Sequence, residues 1–401
     1  MWREITSVEV YNNKISIYKS SRSGLTVAVT KCQGPIFRAN LNFATEALDD
    51  SGIPHMVEHC IFSGCGLYNG RGLLDIACNL NFVVDTNATT SQDSTLYYFD
   101  CSNLEGFLNA FNLFFEHLMS PRLEINNYKT EVHSIDGEGT DIGVLYSEIT
   151  GVERNVNRIL NNKTKKLLYG ENSIYSYNTG GLLSEIRRGC NLEKIISFHK
   201  RFYHLDNMFV IISGDMDSKI ILENISMVEE KFIHHKPHNF KRTVPIMHHL
   251  NQEITTFVDV PCDDSRLGSV RMAWLPLSYP NENKPNRMTS IQILTEYLEE
   301  NVIDPNFIFE NFATNSYFEI IEMRSPSLYL TFEGVPSLAT KYYMMPRWNA
   351  PGPQDQNKFE EIKKEITIKF YFCDLLSGIL PPMQKFDSRN VELVLDKDAT
   401  N

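Results

Sequence analysis

Residues 55 to 59 read His55-Met56-Val57-Glu58-His59, two histidines and a carboxylate within five positions. On a helix, side chains four apart share a face, so the imidazoles of His55 and His59 can hold one metal ion between them. Glu58 stands beside the pair, placed to accept a proton at the same site. This is the layout of zinc-assisted peptide hydrolysis with a carboxylate base, in the reverse order of the commoner H-E-x-x-H. By chance such a pentad turns up in roughly one chain in fifty of this length. The flanking residues must therefore decide between that chemistry and two ordinary helical histidines.

A helix is what the flanks specify. Ser51 and Gly52 are capping types, Pro54 suits the first helical position, and Val57, Ile61 and Phe62 supply an apolar side. A catalytic zinc wants a third protein ligand. Downstream candidates are His117, His133, Glu138, Asp141, Glu148 and Glu153. His117 lies in an apolar stripe, and His133 and Glu138 lie in or beside a glycine-flanked loop. Glu148 sits within Ile142, Leu145, Ile149, Val152, Val156 and Leu160, whose spacing of three and four predicts one long amphipathic helix. Asp141, seven residues earlier, would share its face. Glu148 is thus the expected third ligand, with Asp141 an acid supporting it from behind.

The elements that must hold these groups alternate in type. Leu25, Val27, Val29 and then Phe37, Ala39, Leu41, Phe43 have period two around a Gly34-Pro35 break, predicting two strands joined by a turn. A helix is expected near 70–80, then a polar turn Asn87-Ala88-Thr89-Thr90 and a strand 94–100. Ser102 and Glu105 form a capping-box pattern ahead of the stripe Leu104, Phe107, Leu108, Phe111, Phe114, Phe115, Leu118, which reads as core. After a glycine-rich hinge at 135–139 and the long helix come a loop at 170–181, a helix 192–202 and a strand 208–212 closed by Gly214-Asp215. The mixture predicts an α+β fold: two-layer modules with a mixed, mainly antiparallel sheet packed against helices. Expected boundaries are 1–233 for the metal module, 234–250 for a His/Lys/Pro-rich connector, 251–345 for a partial, metal-free copy, and 346–401 for an irregular tail. In the copy, strands 254–260 and 269–274 and a helix 289–298 repeat the order at 24–62.

Composition narrows the classes. The 401 residues are 42% hydrophobic and 22% charged, with a net charge of −12. Such a balance disfavours nucleic acid, which needs a basic face, and would draw cationic peptides. No run of eighteen apolar residues predicts a membrane span. The first residues, Met1-Trp2-Arg3-Glu4-Ile5, resemble neither a secretory signal nor a transit peptide, so a cytoplasmic address is expected, or a mitochondrial one if a presequence precedes Met1. Eight cysteines, none in C-x-x-C pairs, read as reduced and mostly buried.

Five segments together carry a resemblance. They are Ser51 to His59; Asn87-Ala88-Thr89 with Asp93, Thr95 and Tyr97; Gly143 to Glu148; Thr179-Gly180-Gly181; and Phe198 to Tyr203 with Asn207 and Gly214-Asp215. In order and spacing the chain resembles the pitrilysin-type inverzincins, nearest the long presequence-protease-like branch, over roughly residues 20–340. The resemblance implies one Zn2+ per chain on His55, His59 and Glu148, with Glu58 as general base. It also implies that the strand after Asn87-Ala88 offers an edge to which a peptide adds as a further strand, with Asn87, Ala88 and Thr89 contacting it. Family members of this branch are longer, with further modules that close a chamber and supply an Arg and a Tyr to the scissile carbonyl. This chain stops within the second module, so those groups are expected either from a longer form, if the gene model is truncated or this is a splice form, or from a C-terminal-half partner chain. The expectation is a zinc metalloendopeptidase or its catalytic half. The alternative is a metal-binding, catalytically weak homologue acting as a peptide-binding subunit or scaffold.

Overall fold

The computed structural model describes residues 2–10, 13–66, 72–233, 254, 256–260, 268–274, 315–321 and 327–334. In chain order it runs β1 (Trp2–Val10), β2 (Asn13–Ser20), β3 (Thr26–Lys31), β4 (Phe37–Phe43), α1 (Ile53–Phe62), α2 (Leu73–Leu80), β5 (Val83–Thr90), β6 (Thr95–Cys101) and α3 (Leu104–Met119). Then follow α4 (Ile125–Glu131), β7 (Ser134–Ile135), β8 (Asp141–Ile142), α5 (Val144–Val152), α6 (Val156–Tyr169), α7 (Leu183–Gly189), α8 (Leu192–Phe202), β9 (Met208–Gly214) and α9 (Ser218–Glu229). Two compact units result, Met1–Glu153 with Tyr177–Pro245, and Arg154–Ser176 with Ile246–Asn401.

The first unit is built on a seven-stranded sheet in the order β1-β2-β3-β9-β4-β6-β5. Only β3 and β9 run parallel; the other neighbours are antiparallel, so the sheet is mixed and mainly antiparallel, an α+β fold. Period-two burial explains its inner face. Val27, Val29, Phe37, Ala39, Leu41, Phe43, Tyr97, Phe99, Val210 and Ile212 are all buried there. The α3 stripe of Phe107, Phe111, Phe114 and Phe115 covers that face, with Phe99 and Phe114 stacked at 4.7 Å between ring centroids. Fully burying such a side chain contributes about 1.5–3 kcal/mol, and this layer fixes the sheet that carries the site.

Several local expectations are corrected. β3 and β4 are not paired with each other, because β9 inserts between them, with Val210 opposite both Val27 and Leu41. Residues 87–90 are not a turn but the end of β5, one of the two edge strands of this sheet. The strand that follows, β6, is interior, so the exposed edge belongs to β5 itself. The cap of α3 is Asn103, whose side chain accepts from Gly106 N–H at 3.0 Å, rather than a box between Ser102 and Glu105. The predicted long helix is two helices, α5 and α6, and Asn155 caps the second by accepting from Arg158 N–H. The 135–139 hinge is the turn of the β7–β8 hairpin. β1, β2, α4, β7, β8, α7 and α9 had no sequence expectation.

In the second unit, β10 (Gly268–Trp274), β11 (Asn315–Ile321) and β12 (Ser327–Gly334) form an antiparallel sheet ordered β10-β12-β11. β10 is the strand expected at 269–274. Residues 254 and 256–260, expected as a strand, belong to none. The connector at 234–250, the helix expected at 289–298 and the tail at 346–401 lie outside the described residues. Among the described residues no helix is long and apolar enough to cross a membrane.

Candidate functional site

The start of α1 is fixed by a close crossing of two loops. Gly52 begins the helix at φ 75°, a left-handed conformation open to glycine, and Pro54 becomes its second residue. A Cβ at Gly52 would lie 2.6 Å from Gly181 N, so the Gly180-Gly181 backbone passes directly over this point. Asp50 clasps that loop, its Oδ1 accepting from Asn178 N–H at 2.7 Å and its carbonyl from Leu182 N–H at 2.9 Å. Helical spacing then sorts α1 by face. Met56, Val57, Cys60 and Ile61 are buried, while His55, Glu58, His59 and Phe62 emerge together. Burial pushes the Cys60 thiol up to about 12, making it an inert apolar side chain behind the histidines.

α5 brings the third group. Gly143 precedes it at φ 143°, where a Cβ would meet Val132 O at 2.4 Å, and Leu145 and Ile149 bury its inner side. Glu148 projects from the other side. Its Oε1 lies 3.8 Å from His55 Nε2 and its Oε2 3.3 Å from His59 Nε2. The two imidazoles stand edge to face at 4.8 Å. One donor atom from each of the three residues falls within 4.8 Å of the others, the sole such cluster found among the described residues. Tetrahedral zinc with bonds of about 2.0–2.2 Å needs donors roughly 3.3–3.5 Å apart, and two nitrogens with a carboxylate are a catalytic donor set. The residues present therefore fit zinc.

Glu58 faces a different neighbour. Thr90, the last residue of β5, donates its hydroxyl to Glu58 Oε2 at 2.5 Å. Burial pushes the Glu58 carboxyl up to about 7; the Thr90 hydrogen bond opposes the rise and the charge of Glu148 adds to it. Thr90 had no expected role. Its signal lay in the period two of Thr86, Ala88 and Thr90, which are half-buried, whereas Asn87 and Thr89 between them are exposed. Asn87 Oδ1 accepts from Ala88 N–H at 2.8 Å. The outer edge of β5 thus starts beside Glu58, with the Asn87 side chain folded onto the Ala88 N–H.

The structure places the remaining candidates elsewhere. Asp141 does not share a helix with Glu148; it lies in β8, and its carboxylate meets His133 Nε2 at 2.8 Å and the Arg187 guanidinium. Gly143 breaks the helical register between them. His117 is buried in α3 with Nδ1 on Leu113 O at 2.8 Å, and burial lowers its pKa. Glu138 is exposed in the β7–β8 turn, and Glu153 accepts from Leu183 N–H at 3.0 Å.

Residues 44–166 match the insulinase (peptidase family M16) model, and 189–301 match the peptidase M16 inactive domain. An uncharacterised Caenorhabditis elegans protein is 34% identical over 329 residues, covering 80% of this chain and 33% of its own length. The mitochondrial presequence protease of Kluyveromyces lactis is 26% identical, covering 47% of this chain and 19% of its own. The chain spans about a third of the length of the Caenorhabditis elegans and Schizosaccharomyces pombe relatives it matches. A Helicobacter pylori protease shares the fold with a TM-score of 0.64 at 16% identity, covering 96% of this chain and 87% of that one. Pitrilysin does so at 0.59 and 13%, covering 96% and 39%. Both family matches, read with these relatives, lead to one identification: the chain belongs to the insulinase, or M16, peptidase family.

Proposed function

We propose that this chain carries the catalytic module of a zinc-dependent metalloendopeptidase acting on peptides or unstructured polypeptides. The observation that carries the reading is the convergence of His55, His59 and Glu148 beside a separate carboxylate, Glu58, that is tied to the edge strand. Those three residues would hold the zinc, which when bound supplies Lewis acidity, polarising a carbonyl and acidifying water. The β5 edge would bind the substrate backbone as an added strand and orient it across α1. Glu58 would take the proton from the attacking water at its carboxylate and return it to the leaving amine. A carboxyl lifted towards neutrality by burial suits both transfers, and a cation held beside it would favour the ionised form that accepts first. Cationic peptides suit the net charge of −12. In the longer whole protein, we read a C-terminal half as completing the site.

The rival reading, a peptide-binding subunit without hydrolysis, draws support from the inactive-domain match. That match covers 189–301 and contains none of the four site residues. The test is Glu58→Gln, which keeps the shape and cannot accept the proton. Chelator-sensitive cleavage of a quenched peptide library should fall by about 10²- to 10⁴-fold, with zinc still bound. Wild-type cleavage by Glu58→Gln would remove Glu58 from the proposal.

A further inference from the structure

Glu148 is half-exposed, and its ion-pair contacts are the two histidines it would share a metal with. Its placement therefore depends on where α5 sits. α5 is seated from below by the burial of Leu145 and Ile149. What seats it laterally is a polar cluster outside the catalytic set. Arg187, in the last turn of α7, forms a two-point contact with Asp141, through Nε to Oδ1 at 3.1 Å and through Nη2 to Oδ2. His133 Nε2 meets the same Oδ1 at 2.8 Å. Burial and the Arg187 charge hold the His133 imidazole below its ordinary range, so it serves Asp141 as a neutral donor.

Tyr146, two residues before Glu148, is caught in this cluster. Its ring lies 4.9 Å from the His133 ring, and the Arg187 guanidinium stands over it at 5.7 Å. Tyr146 N–H donates to Val132 O at 3.3 Å, the carbonyl that also forbids a side chain at Gly143. At the far end of α5, Glu153 accepts from Leu183 N–H, the first residue of α7. α7 is therefore fastened to α5 at both ends, by Glu153 and by Arg187.

We infer that Arg187 is a positioning residue for the third metal ligand, acting through Asp141, His133 and Tyr146 to set the register of α5 and so the reach of Glu148. The inference rests on the metal-site reading above. Its guanidinium does two things at once, gripping a carboxylate with a planar fork and lying over an aromatic ring, and a lysine can do neither in the same way.

The experiment measures zinc affinity of the 401-residue chain by chelator competition, together with thermal melts and the visible spectrum of the cobalt-substituted chain. Arg187→Ala should weaken zinc by about 10-fold, the lower end of what supporting groups contribute, and should alter the cobalt spectrum. Arg187→Lys, which keeps the charge and the fold, should show a smaller loss in the same direction. The loss should persist at temperatures where melts of the metal-free chain show Arg187→Ala fully folded. A zinc loss that appears only as Arg187→Ala begins to unfold would show mere destabilisation and overturn the inference. So would unchanged zinc affinity and cobalt spectrum in Arg187→Ala and Arg187→Lys while Glu148→Ala empties the site. A wild-type chain that binds no zinc would instead overturn the metal-site reading on which the inference stands.

Discussion

Thr90 donates its hydroxyl to Glu58, and this hydrogen bond joins the edge strand β5 to the helix that carries His55 and His59. The strand that would receive a peptide and the carboxylate that would move its proton are thereby held as one unit. The same bond restrains the carboxyl against the rise that burial imposes.

Removing that bond should move the pH profile. Thr90→Val takes away a donor that favours the ionised form of Glu58, so its pKa climbs further above the ordinary range. The acidic limb of kcat/KM should move up by on the order of one pH unit, as expected for one hydrogen bond to a charged group. Activity should therefore fall more at pH 6 than at pH 8. An unmoved limb in the pH–rate profile would dissociate Thr90 from the base.

Glu58 should also be a burden on the metal-free fold. Below about pH 4.5 the carboxyl is protonated in folded and unfolded chains alike and contributes nothing. As pH rises towards 7, the unfolded chain ionises first, so stability is lost across that interval and the full cost stands above it. In chelator, Glu58→Gln should therefore be the more stable protein at pH 8, by on the order of 3 kcal/mol, and equal to wild type near pH 4. Chemical denaturation at the two pH values measures this; a constant difference would contradict it.

Gly52→Ala should disturb the site from the outside. The residue sits at φ 75° against the Gly181 backbone, so a methyl group forces either the start of α1 or the 178–182 loop to move. A cost of about 1–3 kcal/mol is expected from the backbone alone, and zinc affinity should fall because His55 lies on the first turn. Melting curves and metal titration check both. Unchanged values would mean that the loop crossing does not place the helix.

How much of this was legible follows from which forces are local. α1 could be read because its caps, its apolar side and the pentad all lie within a dozen residues. The α3 stripe and the alternation of β4 were equally plain, since each buries a single face at its own period. β5 was hidden because, beyond Val83, its half-buried residues Thr86, Ala88 and Thr90 are small or polar, and edge strands need no apolar alternation. The insertion of β9 between β3 and β4 is a pairing across more than 160 residues, which no local pattern encodes. Ile149, Val152, Val156 and Leu160 keep helical spacing across a break, so only the capping residue Asn155 marked where α5 ends and α6 begins. The seven-residue offset of Asp141 from Glu148 imitated a shared helix face, while Gly143 between them was the sign that it was not one. Arg187 is distant in sequence from every group it touches, and only the fold shows it.

Under the proposed function, His55, His59 and Glu148 hold one zinc ion, and Glu58, next to His59 in sequence, does not. Elemental analysis of purified wild type, His55→Ala, His59→Ala, Glu148→Ala and Glu58→Gln tests it directly. About one zinc per chain is predicted for wild type and Glu58→Gln, and close to none for each of the other three, as the loss of one ligand from a three-residue site requires. Full zinc in Glu148→Ala, or an empty site in Glu58→Gln, would contradict the account.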